Sequence, residues 1–223
     1  MKNNYRTGVL GGTFDPIHMG HLDVADAARR ALDLETVLLI PSRIPPHRST
    51  LPLASEAHRF AMVELAASTA EHLVACDIEL TSSEQSYTSI TLQRLTEKGL
   101  YSLNVFFIIG ADAFAEITYW YDYPAVLNRS HFIVISRPGC SALNLREHLP
   151  MLAPRMRFLA AGSHIPQQTK GTAIWLIDEQ TTDVSSSKIR KLLNAKQSVE
   201  DLVPELVASY IDQQDLYSPK RNS

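Results

Sequence analysis

The chain has 223 residues, of which 45% are hydrophobic and 20% charged, with a formal net charge of −3. That length allows one large domain with a substantial buried core, and the charge balance excludes a protein built to neutralise a nucleic-acid backbone. Cys76 and Cys140, the two cysteines, have no C-x-x-C spacing, so neither a disulfide framework nor a zinc site is expected. The opening stretch "MKNNYRTGVLGG" lacks the long apolar region of a signal peptide. No segment approaches the roughly 20 apolar residues that span a bilayer. The expected location is the cytoplasm, with no membrane partner.

In chain order, the first apolar run, residues 7–10, predicts a buried strand that ends in Gly11 and Gly12. A helix follows in "HLDVADAARRAL", where Leu22, Ala25, Ala28 and Leu32 recur at helical spacing and the charged residues fall mostly elsewhere. Residues 36–40 predict a second strand, and "ASEAHRFAMVELAAST" a helix whose serine can cap its first turn. After a short strand at 73–76, "TSITLQRLTEKG" reads as a helix that stops at Gly99. Strands are then expected at 105–109, 131–135 and 173–177, with residues 141–170 as an insertion of loops and helix. Two helices in residues 185–217, "SSSKIRKLLNAKQ" and "LVPELVASYIDQQDLY", close the chain. Strands that alternate with helices predict a doubly wound, Rossmann-like parallel sheet with helices on both faces, in one domain over residues 1–223. Ligands bind such sheets outside the carboxyl ends of the strands.

The turn after the first strand reads "GGTFDPIHMGHLD". Small residues between a strand and a helix N-terminus let backbone approach oxygen atoms, and the helix end supplies N–H groups and partial positive charge. The turn is neither a P-loop nor G-x-G-x-x-G. His18 and His21, at i and i+3, can project from one side of a helix's first turn. There they can donate to phosphate oxygens and stabilise charge that builds in a transition state. The same pair can instead satisfy backbone carbonyls of a capping turn. It can also form part of a metal site, although no third ligand stands at supporting spacing. Gly20, between the rings, leaves space for a base or a phosphate to pass.

Near the end of the chain, "TDVSSSKIRKLL" starts an amphipathic helix with Ser185 or Ser186 as its cap and with Lys188 and Arg190 within a turn. Free N–H groups, hydroxyls and a guanidinium make an anion site; a capped helix with solvated basic residues has the same signature.

"GGTFDPIHMGH" resembles the G-x-F-x-P-x-H-x-G-H signature of the nucleotidyltransferase superfamily. Val184, Ser185, Ser187 and Arg190 fall on that superfamily's I-S-x-[ST]-x-x-R element, which holds a triphosphate. "PSRIPPHRS", "SYTSITLQRL", "FIIGADAF", "TYWYDY" and "HFIVISRPG" extend the resemblance to the bacterial nicotinate mononucleotide adenylyltransferases over nearly the whole chain. The resemblance implies condensation of nicotinate mononucleotide with ATP, carried with Mg²⁺, to give nicotinate adenine dinucleotide and pyrophosphate in NAD biosynthesis. It implies that His18, His21 and Arg190 are catalytic. Gly11, Gly12, Thr13, Phe14, Gly20, Gly110, Asp112, Ser136, Arg137, Ser185 and Ser187 are expected around the nucleotide. His47, Arg48, Tyr87, Thr88 and Trp120 are expected around the substrate, and no metal ligand is expected from the protein. Rival readings are an adenylyltransferase for nicotinamide mononucleotide or pantetheine phosphate, and a nucleotide-binding module without catalysis. Homo-oligomerisation is left open.

Overall fold

The computed structural model, which describes residues 5–45, 51–159, 170–179 and 181–219, forms one seven-stranded sheet. Its strands are β1 (Thr7–Gly12), β2 (Thr36–Pro41), β3 (Leu73–Ala75), β4 (Val105–Gly110), β5 (His131–Ile135), β6 (Met156–Phe158) and β7 (Ile174–Ile177). Their spatial order is β3-β2-β1-β4-β5-β7-β6, and every pairing is parallel. The helices are α1 (Met19–Leu32), α2 (Glu56–Ala67), α3 (Thr88–Glu97), α4 (Ala111–Ala115), α5 (Leu145–His148), α6 (Ser186–Asn194) and α7 (Glu205–Gln213).

A parallel strand covered on both faces shows a continuous apolar run, as "VFFIIG" does in β4. Alternate residues of each strand enter different cores. Phe106 and Ile108 pack with α1, α2, α6 and α7, whereas Val105, Phe107 and Ile109 pack with α3, α4 and α5. Each fully buried apolar side chain of this size contributes roughly 1.5–3 kcal/mol. His131 opens β5 inside this layer: its Nδ1 accepts the Ala173 N–H at 3.0 Å, and its ring stacks on Phe106 at 4.7 Å. Among the described residues no helix is long and apolar enough to cross a membrane.

The sheet's winding sets where a ligand fits. β1 lies between β2 and β4. The chain leaves β1 through α1 on one face and leaves β4 through α4 on the other. The two connections diverge and open a crevice at the carboxyl ends of β1 and β4.

β6 was not foreseen: it is an edge strand of three residues inside the 141–170 stretch, too short to leave a periodic signal. The remainder of that stretch, as far as residue 159, is single-turn helical pieces and α5. At the end of α3, Gly99 has φ +97°, and the N–H groups of Gly99 and Leu100 donate to the carbonyls of Thr96 and Leu95. That pairing is a Schellman cap, which needs a left-handed residue. A Cβ on Gly99 would meet nothing within 4 Å. Gly99→Ala therefore isolates the cost of that backbone conformation, and urea unfolding should register a loss of about 1 kcal/mol.

Candidate active site

A cavity of about 410 Å³ occupies the crevice, walled by Gly11, Gly12 and Thr13 at the end of β1 and by Gly110 and Asp112 at the end of β4. His21 and Arg137 reach it from α1 and from the turn after β5, and Tyr87, Thr88 and Trp120 line its far end.

The histidine loop is held from beneath. Phe14 is 1% exposed, with φ +48°, and its ring meets that of His21 edge-on at 4.9 Å. A Cβ on Gly12 would approach the Phe14 ring to 2.9 Å, so glycine is needed for Phe14 to fold back under the loop. His18 is the N-cap of α1, and its backbone N–H donates to His21 Nδ1 at 3.3 Å. An accepting Nδ1 leaves the ring proton on Nε2. The two imidazoles lie on one side of the turn, and they stack at 3.7 Å. His21 lines the cavity, whereas His18 lies behind it, 2% exposed. Burial, helped by the nearby Arg137 charge and opposed by Asp23, lowers the His18 pKa to about 4, so the ring is neutral at physiological pH.

Gly20 departs from expectation. The space beside it is filled by the protein's own chain, because a Cβ there would lie 3.0 Å from Val184 Cγ1 and 3.1 Å from the Thr182 carbonyl. Its missing side chain admits the segment before α6, not a ligand.

That contact is part of a larger junction. The Asp15 carboxylate, 2% exposed, accepts the N–H groups of Leu53 and Ala54 at 2.9 and 3.0 Å and the Tyr217 hydroxyl at 2.8 Å. Arg190 donates to the Asp15 carbonyl at 2.7 Å and stands 3.7 Å from its carboxylate. Buried Arg59 holds the carbonyls of Thr13 and Ser42 at 2.8 and 2.7 Å. Burial and the Asp15 charge push the Tyr217 phenol far up, so it remains a donor. Ser185 caps α6 by accepting the Lys188 N–H at 3.2 Å, Ser186 donates to the Pro16 carbonyl at 2.9 Å, and Ser187 accepts from Arg190 at 3.2 Å. The serine segment and the histidine loop are thus in direct contact. Ser185, Ser187 and Arg190 do not themselves line the cavity.

At the far end, Tyr87 is the N-cap of α3. The Tyr87 N–H is committed to the Gln85 carbonyl at 2.8 Å. It is therefore not available to an anion. The N–H groups of Thr88 and Ser89 have no acceptor among the described residues and stand at the positive end of the helix. Trp120 faces the cavity and meets Phe107 edge-on at 6.3 Å. Glu79 and Ser86 are among the cavity residues that the sequence did not single out. Glu79 accepts the Thr91 hydroxyl at 2.6 Å, and burial raises its pKa against hydrogen bonds from Thr91 and Ser86 and the charges of Arg94 and Arg59. Ser86 accepts the N–H groups of Arg43 and Ile44 at 3.0 and 3.2 Å. Both lie in loops without periodic signal, and only their nearness to "SYTS" could have drawn notice.

At the carboxyl end of β4, a Cβ on Gly110 would come within 2.5 Å of Asp112 Oδ1 and 3.1 Å of Arg137 Cγ, so these three residues crowd one edge. Ser136 turns away from the cavity: its hydroxyl donates to Asp178 at 2.6 Å and accepts the Ala142 N–H at 2.9 Å, which fixes the turn that presents Arg137. His47 and Arg48 lie outside the described residues. Among the described residues no group of three or more His, Cys, Asp or Glu side chains is placed to hold a metal.

The His18 and His131 rings, both lowered to about 4 from 6.5, make stability depend on pH. An unfolded chain takes up protons from about pH 6.5 downward, whereas the folded one does so only near 4. The unfolding free energy should therefore fall as the pH drops across that interval and lose this dependence above it. Imidazole NMR resonances should show His18 titrating near pH 4; a midpoint near 6.5 would contradict its burial behind His21.

A sequence model of the cytidylyltransferase-like family matches residues 9–192. A protein from Geotalea daltonii named "Probable nicotinate-nucleotide adenylyltransferase" is 37% identical over 217 residues, covering 97% of this chain and all of its own length. One from Shewanella baltica with the same name is 36% identical over 225 residues, covering 96% of this chain and 100% of its own. The fold also matches the Plasmodium falciparum nicotinic acid mononucleotide adenylyltransferase, solved as a complex with NaAD. That match has a TM-score of 0.68 at 18% identity and covers 96% of this chain and 97% of that one. On this coverage and identity the chain belongs to the cytidylyltransferase-like family and, within it, to the nicotinate-nucleotide adenylyltransferases.

Proposed function

We infer that the chain transfers the adenylyl group of ATP to nicotinate mononucleotide, giving nicotinate adenine dinucleotide and pyrophosphate, a step of NAD biosynthesis. The observation that carries this reading is one crevice with two unlike ends. A glycine turn and an imidazole stand at one end, and helix N–H donors beside an indole stand at the other. The first pair suits phosphate; the second suits a flat ring that bears an anion.

An oxygen of the mononucleotide's phosphate attacks the α-phosphorus of ATP. A P–O bond forms as the bond to the bridging oxygen breaks, and pyrophosphate leaves with that electron pair. The nucleophile is already an anion at neutral pH, so no general base is needed. Alignment and charge neutralisation supply the acceleration. His21 donates through Nε2 to the oxygens of the α-phosphate, and the His18 ring stacked behind fixes its plane. The backbone of Gly11, Gly12 and Thr13 lies beside the phosphates, while Ser185, Ser187 and Arg190 at the start of α6 take the departing pyrophosphate. Asp112 accepts from ribose hydroxyls, with Gly110 allowing the approach, and Arg137 borders the adenosine. The donors facing the phosphates are imidazole and N–H groups, which suit oxyanions. Mg²⁺, held by the triphosphate's own oxygens and not by a protein cage, would offset their charge.

The substrate's carboxylate is the feature that sets nicotinate apart from nicotinamide. N–H donors at a helix end bind a carboxylate roughly twice as strongly as a neutral carboxamide. Pyrophosphate release from ATP, measured with each mononucleotide and with neither, tests the reading. Release that depends on nicotinate mononucleotide supports it; release with neither substrate, or only with nicotinamide mononucleotide, overturns it.

His21→Ala should lower kcat by about a hundredfold or more, with the fold intact by circular dichroism. Trp120→Ala should raise KM for the mononucleotide about tenfold while KM for ATP changes little; equal effects on both would make Trp120 a packing residue.

A further inference from the structure

The ring end of the crevice is assembled from two segments far apart in sequence. Thr88, at the start of α3, brings an N–H donor to the cavity with Ser89 buried next to it, and Trp120 brings the stacking face. Asp122 lies between them. Its Oδ2 accepts the hydroxyl of Ser89, 33 residues away, and also accepts Arg129 Nε at 3.1 Å and Nη2 at 3.0 Å. Ser89 is 2% exposed whereas the Asp122 carboxylate is partly exposed, so this hydrogen bond ties the interior start of α3 to the surface turn after Trp120. A second contact joins the same two segments: the rings of Tyr87 and Tyr121 stack at 4.6 Å with 24° between their planes.

Asp122 holds this position against its backbone preference. Its φ is +65°, a left-handed conformation that disfavours a residue with a side chain. The compensating contacts are the three hydrogen bonds to its carboxylate, and Ser89 and Arg129 together hold the carboxyl below the usual carboxylate range. Fixing Asp122 in this way also fixes the two residues before it, Trp120 and Tyr121.

We propose that Asp122 is a positioning residue that sets substrate specificity: by clamping Ser89 it fixes the N–H donors of α3 relative to the Trp120 ring, so that a ring stacked on the indole presents its carboxylate to those donors. The proposal rests on the reading of this end as the site for the carboxylated ring. Hydrogen bonds to a charged acceptor are short and directional, at about 2.7–2.9 Å. A donor that drifts by a few tenths of an ångström therefore weakens the carboxylate complex more than that of a neutral carboxamide. Arg129 stays outside the cavity and acts only through Asp122.

Two variants separate clamping from general stability. Ser89→Ala deletes one hydroxyl, keeps the backbone N–H, and leaves the Asp122–Arg129 pair and the left-handed turn in place. Asp122→Asn keeps an oxygen for Ser89 and tolerates positive φ, but gives up the charge opposite Arg129. KM and kcat are measured for both mononucleotides and for ATP, beside the unaltered protein and beside thermal unfolding. In Ser89→Ala, KM for nicotinate mononucleotide should rise about tenfold. KM for nicotinamide mononucleotide and for ATP should change less than threefold. Asp122→Asn should recover part of the loss seen in Asp122→Ala, and the Ser89 and Asp122 effects should fall well short of additive when combined. A lowered unfolding temperature with the ratio of the two mononucleotide KM values unchanged would overturn the clamp while leaving the adenylyl-transfer reading intact. An unaltered protein that shows no preference for nicotinate mononucleotide would overturn the reading of this end, and the clamp with it.

Discussion

Nearly everything about the site depends on one buried carboxylate. Asp15 lies inside the first loop, 2% exposed, and a charge there is tolerable only if donors surround it. They come from three separate regions: the backbone of Leu53 and Ala54, Arg190 in α6, and Tyr217 beyond α7. Removing any one would leave a buried acceptor short of a partner, so the fold and the loop are fixed together. Arg59, bound to the carbonyls of Thr13 and Ser42, pins the loop's other flank to the end of β2.

The loop's unusual geometry follows from that anchoring. Phe14 occupies a left-handed conformation and Gly12 has no room for a side chain, yet together they place an aromatic edge under His21. His18 caps the helix with its backbone and supports its partner with its ring, at the price of a neutral, buried imidazole. The two histidines therefore have different surroundings. One faces the cavity; the other stiffens it. The start of α6 is brought to the same loop through Ser186 on the Pro16 carbonyl and Arg190 on Asp15, which sets a second helix N-terminus beside the first. At the other end of the crevice the partly exposed Asp122 carboxylate likewise joins distant segments, through Ser89 and Arg129.

Much of this was legible in the chain, for stated reasons. Strands buried on both faces, such as residues 105–109 and 131–135, show as continuous apolar runs, and Ser55 and Gly99 mark helix ends by their own chemistry. "GGTFDPIHMGH" is local, so the glycine turn, the shared side of the two histidines and the helix start could be read from spacing, but not the stacking of one ring behind the other. β6 could not be, being three residues at a sheet edge. Nor could the purpose of Gly20, which depends on Thr182 and Val184 arriving from the far end of the chain. The same holds for Glu79 and Asp122: one carboxylate in a loop has no period, and its meaning comes from partners that only the fold supplies. Ser136 shows the reverse limit, since its place at a strand end suggested a ligand contact where its hydroxyl serves Asp178 and Ala142.

The central claim is that the histidine loop and the start of α6 hold one triphosphate between them. A crystal structure with a non-hydrolysable ATP analogue tests it most directly. The account predicts phosphate oxygens within hydrogen-bonding distance both of His21 Nε2 and of the serine hydroxyls and N–H groups at the start of α6. A triphosphate that touches neither element, or only one of them, would contradict it.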